Sequence, residues 1–137
     1  MKNFLNLDEY NLIDLPETLA LTEKFLNVLD SLNNPRGLRM KFFDGTHLYN
    51  DIQADFFFSN YAFSELQKPV QDMYIEKVIS KCKSGYITWD ADMSRSSYGI
   101  DGYNLQDFLK KLPNPKVIPE EPISTAPTNC IIMWNLN

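Results

Sequence analysis

The sequence predicts an α/β fold in which the core strands run parallel and the last two strands pair antiparallel. Three observations carry this. Short apolar runs of strand length alternate with stretches of helical periodicity. No helical pattern separates the final two strand candidates, and five of the eight prolines lie between Pro113 and Pro127, so that connection is an extended loop suited to an antiparallel pair. A length of 137 residues fits one domain, residues 1–137, large enough for a real core.

The elements follow in order. Tyr10–Asp14 reads as a short strand ending on an acid. Pro16 then stands where a helix begins, its fixed φ suiting the first turn. Leu15, Leu19, Leu26 and Leu29 recur at helical spacing beside Leu21, Phe25, Val28 and Leu32, which predicts a wide apolar face lying on a sheet. Asn33–Gly37 ends that helix with turn chemistry. Leu38–Phe43 is the second strand and Asp44-Gly45-Thr46 closes it. Asp55–Ser59 is continuously apolar at its centre, the pattern of a central strand covered on both faces. After Pro69, Val70, Tyr74 and Val78 share a side with Ile75, Ile79 and Cys82, predicting a second helix. Gly85–Asp90 is the fourth strand. Asn104 with Asp107 three residues on resembles a capping box, ahead of Leu105, Phe108, Leu109 and Leu112 at helical spacing. Lys116–Ile118 and Cys130–Trp134 are the last two strands.

Composition narrows the function classes. Thirteen basic against eighteen acidic residues give a net charge of −5, which argues against nucleic-acid binding and against an anionic membrane surface. No apolar run approaches the ~20 residues that span a bilayer, and Met1–Asn6 has no apolar signal core. The two cysteines, Cys82 and Cys130, fit no zinc or redox spacing and read as buried reduced thiols of a cytoplasmic protein. A single histidine, His47, excludes multi-histidine metal sites.

Ligands of open α/β sheets bind beyond the carboxyl ends of the strands. That rule selects Asp14, Asp44, the Ser59-Asn60-Tyr61 run and Asp90. Asp14 suits ribose hydroxyls, and equally suits the positive end of a helix dipole. Asp44 suits a base or sugar edge; a turn residue before Gly45 is the plainer reading. Glu65, in the loop after the third strand, suits proton abstraction from a hydroxyl, against the plainer role of a solvated acid. Asn60 otherwise caps its loop, and Tyr61 and Phe63 otherwise pack. Asp90 with Asp92 is a weak metal pair in a polar loop. Lone His47 is more ordinarily a surface group than a base. The five glycines form no glycine-rich turn of the nucleotide-binding kind.

Tyr10-Asn11-Leu12-Ile13-Asp14-Leu15-Pro16-Glu17 resembles the segment following the second strand in the sugar O-methyltransferase family. Ser59–Leu66 resembles that family's signature after its fourth strand, and Glu121–Asn129, leading into Ile131–Trp134, is a third match in the right order. The resemblance implies a Rossmann-like sheet, mostly parallel with an antiparallel C-terminal strand and helices on both faces, and S-adenosylmethionine as cofactor. It implies that Asp14 holds the ribose, that Asp44 sits near the adenine, that Ser59 lies on the cofactor side, and that Asn60, Tyr61 and Glu65 border the methyl-transfer site. The family's first strand and glycine-rich cofactor loop have no counterpart before Tyr10, where Met1–Asn6 resembles the tail of the helix that follows that loop. The chain thus resembles an incomplete, C-terminal part of the fold. In that fold the first strand lies between the second and fourth, so Tyr10–Asp14 and Asp55–Ser59 are expected either to pair directly or to borrow a partner's strand.

Three functions follow as expectations. One is an O-methyltransferase acting on a sugar or glycan hydroxyl, alone or with an N-terminal partner chain. Another is a methyltransferase-like remnant that does no chemistry and binds a partner, or a second copy of itself, through its strand edges. The third is a different nucleotide- or sugar-binding module.

Overall fold

The computed structural model describes residues 7–33, 39–90, 99–122 and 126–136. Its elements run β1 (Glu9–Asp14), α1 (Pro16–Asn33), β2 (Arg39–Asp44), β3 (Ala54–Asn60), a 3-10 turn (Ala62–Glu65), α2 (Lys68–Lys77), a second 3-10 turn (Ile79–Lys81), β4 (Cys82–Trp89), α3 (Leu105–Leu109), β5 (Pro115–Pro119) and β6 (Cys130–Trp134). The fold is mixed α/β with two sheets. One pairs β1 with β2 in parallel; the other has the order β3-β4-β6-β5. Within the second, β3 and β4 are parallel, and β6 is antiparallel to both β4 and β5. The chain divides into two compact units, Met1–Tyr49 and Asn50–Asn137. No helix among the described residues is long and apolar enough to cross a membrane.

In the first unit, β1 and β2 run in register from Glu9 opposite Arg39 to Asp14 opposite Asp44. Glu9 meets Lys41 at 2.9 Å and Arg39 at 3.9 Å, exposed pairs that water and salt screen. Pro16 opens α1 as expected. The wide apolar face of α1 is only partly covered. Leu19 is buried, whereas Leu15, Leu21, Phe25 and Val28 are exposed. Neighbouring strands lie about 4.8 Å apart, so a two-stranded sheet shields one stripe of a helix and no more.

In the second unit, strand alternation sorts side chains to two faces. Phe57, Ile87, Trp89, Ile132 and Trp134 share the buried face. Phe108 of α3 stacks on Trp89 at 5.0 Å, and Phe63 of the first 3-10 turn lies 4.9 Å from Phe108. Gly85 sits opposite Trp134 in the β4–β6 ladder. A Cβ on Gly85 would lie 2.1 Å from Trp134 Cη2, so the indole occupies the space a side chain would take. Gln71, fully buried, donates from Nε2 to the Phe63 carbonyl at 2.9 Å and accepts from the Tyr103 N–H at 2.6 Å. It thereby ties α2 to the loop on either side.

Three local expectations change. The stretch Asp55–Ser59 is not covered on both faces: β3 ends its sheet, and Phe56 and Phe58 are each 47% exposed. The helix after Pro69 does not reach Cys82. It ends at Lys77, whose carbonyl accepts the Ile52 N–H at 2.8 Å, and the Ile79–Lys81 turn then delivers the chain into β4. Val78 and Ile79 are still buried by this route, because helical and 3-10 turns place neighbouring apolar groups on the same side. The expected direct pairing of β1 with β3 is not in the sheet order, where each is the end strand of its own sheet. The Asn104–Asp107 cap forms as expected, with Asn104 Oδ1 accepting the Asp107 N–H at 2.9 Å. Cys130 is buried, Cys82 is half-buried, and both are free thiols whose pKa burial pushes up.

Candidate functional site

The carboxyl end of each sheet collects polar groups, and the two ends are described separately. In the first unit, Asp14 and Asp44 are register partners at the ends of parallel strands. The Asp14 Oδ1 accepts the Leu15 N–H at 2.7 Å, which satisfies a free donor at the start of α1. The Gly45 N–H donates to the Asp14 carbonyl at 2.8 Å, joining the two strand ends. Asp44 Oδ1 accepts from the Thr46 N–H at 2.8 Å and from the Thr46 hydroxyl at 2.6 Å. These bonds hold the Asp44 carboxyl below its ordinary value of 3.8. With the Thr46 proton directed to Asp44, the 2.9 Å contact from Thr46 Oγ1 to His47 Nδ1 requires a proton on Nδ1. His47 thus buttresses the turn. The second oxygens of Asp14 and Asp44 have no partner among the described residues. Two open acceptors on adjacent strand ends suit a ligand that offers paired hydroxyl donors.

In the second unit, β3, β4 and β5 all run in one direction, because β6 opposes both β4 and β5. Their carboxyl ends therefore lie on one side of the sheet. The sequence Ser59-Asn60-Tyr61 leaves β3 there. Ser59 Oγ accepts the Phe63 N–H at 3.1 Å, so this side chain caps the 3-10 turn. Tyr61 adopts φ 62°, a left-handed conformation costly for a large side chain. Three bonds pin its backbone: its N–H donates to the Thr88 carbonyl at 3.0 Å, and its carbonyl accepts from the Ser64 N–H at 2.9 Å and the Ser64 hydroxyl at 2.6 Å. Ser64 Oγ also accepts the Asp90 N–H at 3.1 Å, linking the ends of β3 and β4. The Tyr61 hydroxyl donates to Glu120 Oε1, at the end of β5.

The structure thus brings Ser59, Tyr61 and Asp90 together and adds two groups the sequence reading passed over, Ser64 and Glu120. The carboxyl-end rule would have found Glu120 had the direction of Lys116–Ile118 been known. Asn60 and Glu65 are exposed and make no side-chain hydrogen bond among the described residues. Asp92 falls in 91–98, outside the described residues.

An open cleft of about 390 Å³ is lined by Lys68, Tyr103, Asp107, Lys110 and Lys111, among others. Its cations are largely matched. Lys68 bonds Asp72 at 2.6 Å and lies 4.5 Å from the Tyr103 ring centre, and Lys110 bonds Asp107 at 2.7 Å. Among the described residues, no group of three His, Cys, Asp or Glu side chains is placed to hold a metal ion. No family model and no curated protein matches the chain.

Proposed function

We propose that this chain belongs to an S-adenosylmethionine-dependent O-methyltransferase acting in the cytoplasm on a sugar or glycan hydroxyl. The observation that carries the reading is the strand order. The resemblance of Tyr10–Glu17 and Ser59–Leu66 to the sugar O-methyltransferase family implies a strand between β1 and β3, and each of these is the end strand of its own sheet. It also implies an antiparallel C-terminal strand, and β6 is antiparallel to both neighbours.

The donor set fits the adenosine half of the cofactor. A ribose diol offers two hydroxyl donors, and the open oxygens of Asp14 and Asp44 accept such donors. When bound, this cofactor supplies a methyl group on a sulfonium. The chain's own residues then have positional roles. In the first unit Asp14 and Asp44 would hold the nucleoside; for Asn60, Tyr61 and Glu65 of the second unit the resemblance alone implies the acceptor role. Methyl transfer is an in-line displacement, so alignment supplies much of the rate.

Calorimetric titration with S-adenosylhomocysteine tests the reading, with Asp14→Ala as control. Removing hydrogen bonds to a charged acceptor costs about 1–3 kcal/mol, about 5- to 150-fold in Kd. Equal affinity in wild type and Asp14→Ala refutes the assignment of Asp14. The half-exposed Phe56 and Phe58 on an end strand favour a second reading, a non-catalytic module that binds a partner through that edge. A folded chain that binds no cofactor selects it.

A further inference from the structure

The turn that closes β2 sets two aromatic rings beside the Asp14–Asp44 edge, and all four residues belong to the first unit. The Thr46 hydroxyl lies 2.6 Å from Asp44 Oδ1 and 2.9 Å from His47 Nδ1, so one oxygen ties the imidazole to the carboxylate. The His47 N–H also donates to the Asp44 carbonyl at 3.3 Å, which fixes the backbone carrying that ring. The Tyr49 ring lies nearly parallel to the imidazole, with 18° between the planes and 6.3 Å between the centres. Leu48 between them is buried, whereas both rings are exposed, Tyr49 at 84%. The Tyr49 hydroxyl makes no hydrogen bond among the described residues. Singly exposed apolar groups are ordinary. Two rings held nearly parallel beside two open carboxylate oxygens are a different case. A ligand that matches both features carries a flat heteroaromatic base and a pair of vicinal hydroxyls, which is the chemistry of a nucleoside. Stacking strengthens with the overlapping π surface, which favours a bicyclic purine over a one-ring pyrimidine.

We propose that Tyr49, extended by His47, is the platform on which a purine base stacks while the ribose diol bonds the open oxygens of Asp14 and Asp44. This rests on the reading of the Asp14–Asp44 edge as the nucleoside end of a cofactor site, and it deepens that reading by assigning the base to rings of this chain. The carboxylates recognise the sugar and the rings recognise the base, so each half of the nucleoside has its own partner. His47 has two parts in this scheme: its Nδ1 proton holds the Thr46 hydroxyl against Asp44, and its face continues the surface that Tyr49 begins.

Proton NMR of ligands titrated with the full chain tests the assignment without turnover. The probes are adenosine, uridine, methyl β-D-ribofuranoside and S-adenosylhomocysteine. A base lying on an aromatic face has its ring protons shifted upfield, a signature that a merely structural role for Tyr49 does not produce. The expected result is upfield-shifted adenine protons in adenosine and in S-adenosylhomocysteine. Tyr49→Leu is expected to weaken adenosine binding by about 5- to 150-fold, the range for losing a base–aromatic stack, and Tyr49→Phe to restore it. Urea midpoints verify that both variants fold. Unshifted base protons, an equal Kd in Tyr49→Leu, or uridine or the ribofuranoside binding as tightly as adenosine overturns the proposal. S-Adenosylhomocysteine that binds with unshifted base protons and is indifferent to Tyr49→Leu retains the cofactor reading and removes the platform. Adenosine that stacks on Tyr49 in a chain that does not bind S-adenosylhomocysteine retains the platform and removes the methyl-transfer reading.

Discussion

Replacing Gln71 with methionine keeps the length of the side chain and removes both of its hydrogen bonds. The side chain is fully buried, and its partners, the Phe63 carbonyl and the Tyr103 N–H, are buried with it. Each orphaned backbone group then costs about 1–3 kcal/mol. Burying an apolar thioether in place of an amide offsets part of this, leaving a loss of roughly 2–4 kcal/mol. That is a large share of the roughly 5–15 kcal/mol typical of a domain. Gln67 provides the matched control. It makes the same two kinds of bond, to the Gly99 carbonyl at 2.7 Å and from the Asp101 N–H at 2.9 Å, but it is exposed. Water replaces those bonds, so Gln67→Met changes stability by about 0.5 kcal/mol or less. Urea unfolding followed by the fluorescence of buried Trp89 and Trp134 reads both variants. Equal midpoints for Gln71→Met and Gln67→Met, with unchanged slopes, refute the reasoning that burial decides the cost.

Gly85→Ala places a methyl group inside the Trp134 ring and destabilises the second unit by about 3 kcal/mol or more; a near-normal urea midpoint contradicts the close approach. Acid sensitivity follows from carboxyls held below their ordinary values, Asp44 by Thr46, Asp51 by Lys81, Asp72 by Lys68 and Asp107 by Lys110. A depressed folded-state pKa contributes stability that is present above the unfolded value of 3.8 and is lost as pH falls through the folded value. Circular dichroism is therefore expected to hold steady between roughly pH 5 and pH 7 and to lose structure below about pH 4; a transition centred near neutrality contradicts this.

The order of the elements was legible because strand length, helix period and turn chemistry agree with one another along the chain, whereas their division between two sheets was not. Asp14 at the end of β1 and Pro16 at the start of α1 needed only local rules. The Asn104 cap was visible as a three-residue spacing. The failures were non-local. Three consecutive phenylalanines in β3 carry the same pattern whether one face or two are covered, so the exposure of Phe56 and Phe58 depended on strand order. Val78 and Ile79 satisfy helical spacing although the helix ends at Lys77. Glu120 became a site residue only when the direction of β5 and the reach of Tyr61 were known. Ser64 carries no sequence signal of its own, yet its hydroxyl joins the ends of β3 and β4 by donating to the Tyr61 carbonyl and accepting the Asp90 N–H.

The central claim is that the Asp14–Asp44 edge receives the adenosine end of the cofactor. Amide chemical-shift mapping of the isotope-labelled chain with S-adenosylhomocysteine tests it most directly. The account predicts the largest changes at Asp14, Leu15, Gly45 and Thr46, where backbone N–H groups bond the two carboxylates or join the strand ends. A folded spectrum that does not respond, or changes confined to the cleft around Lys68 and Tyr103, contradicts it.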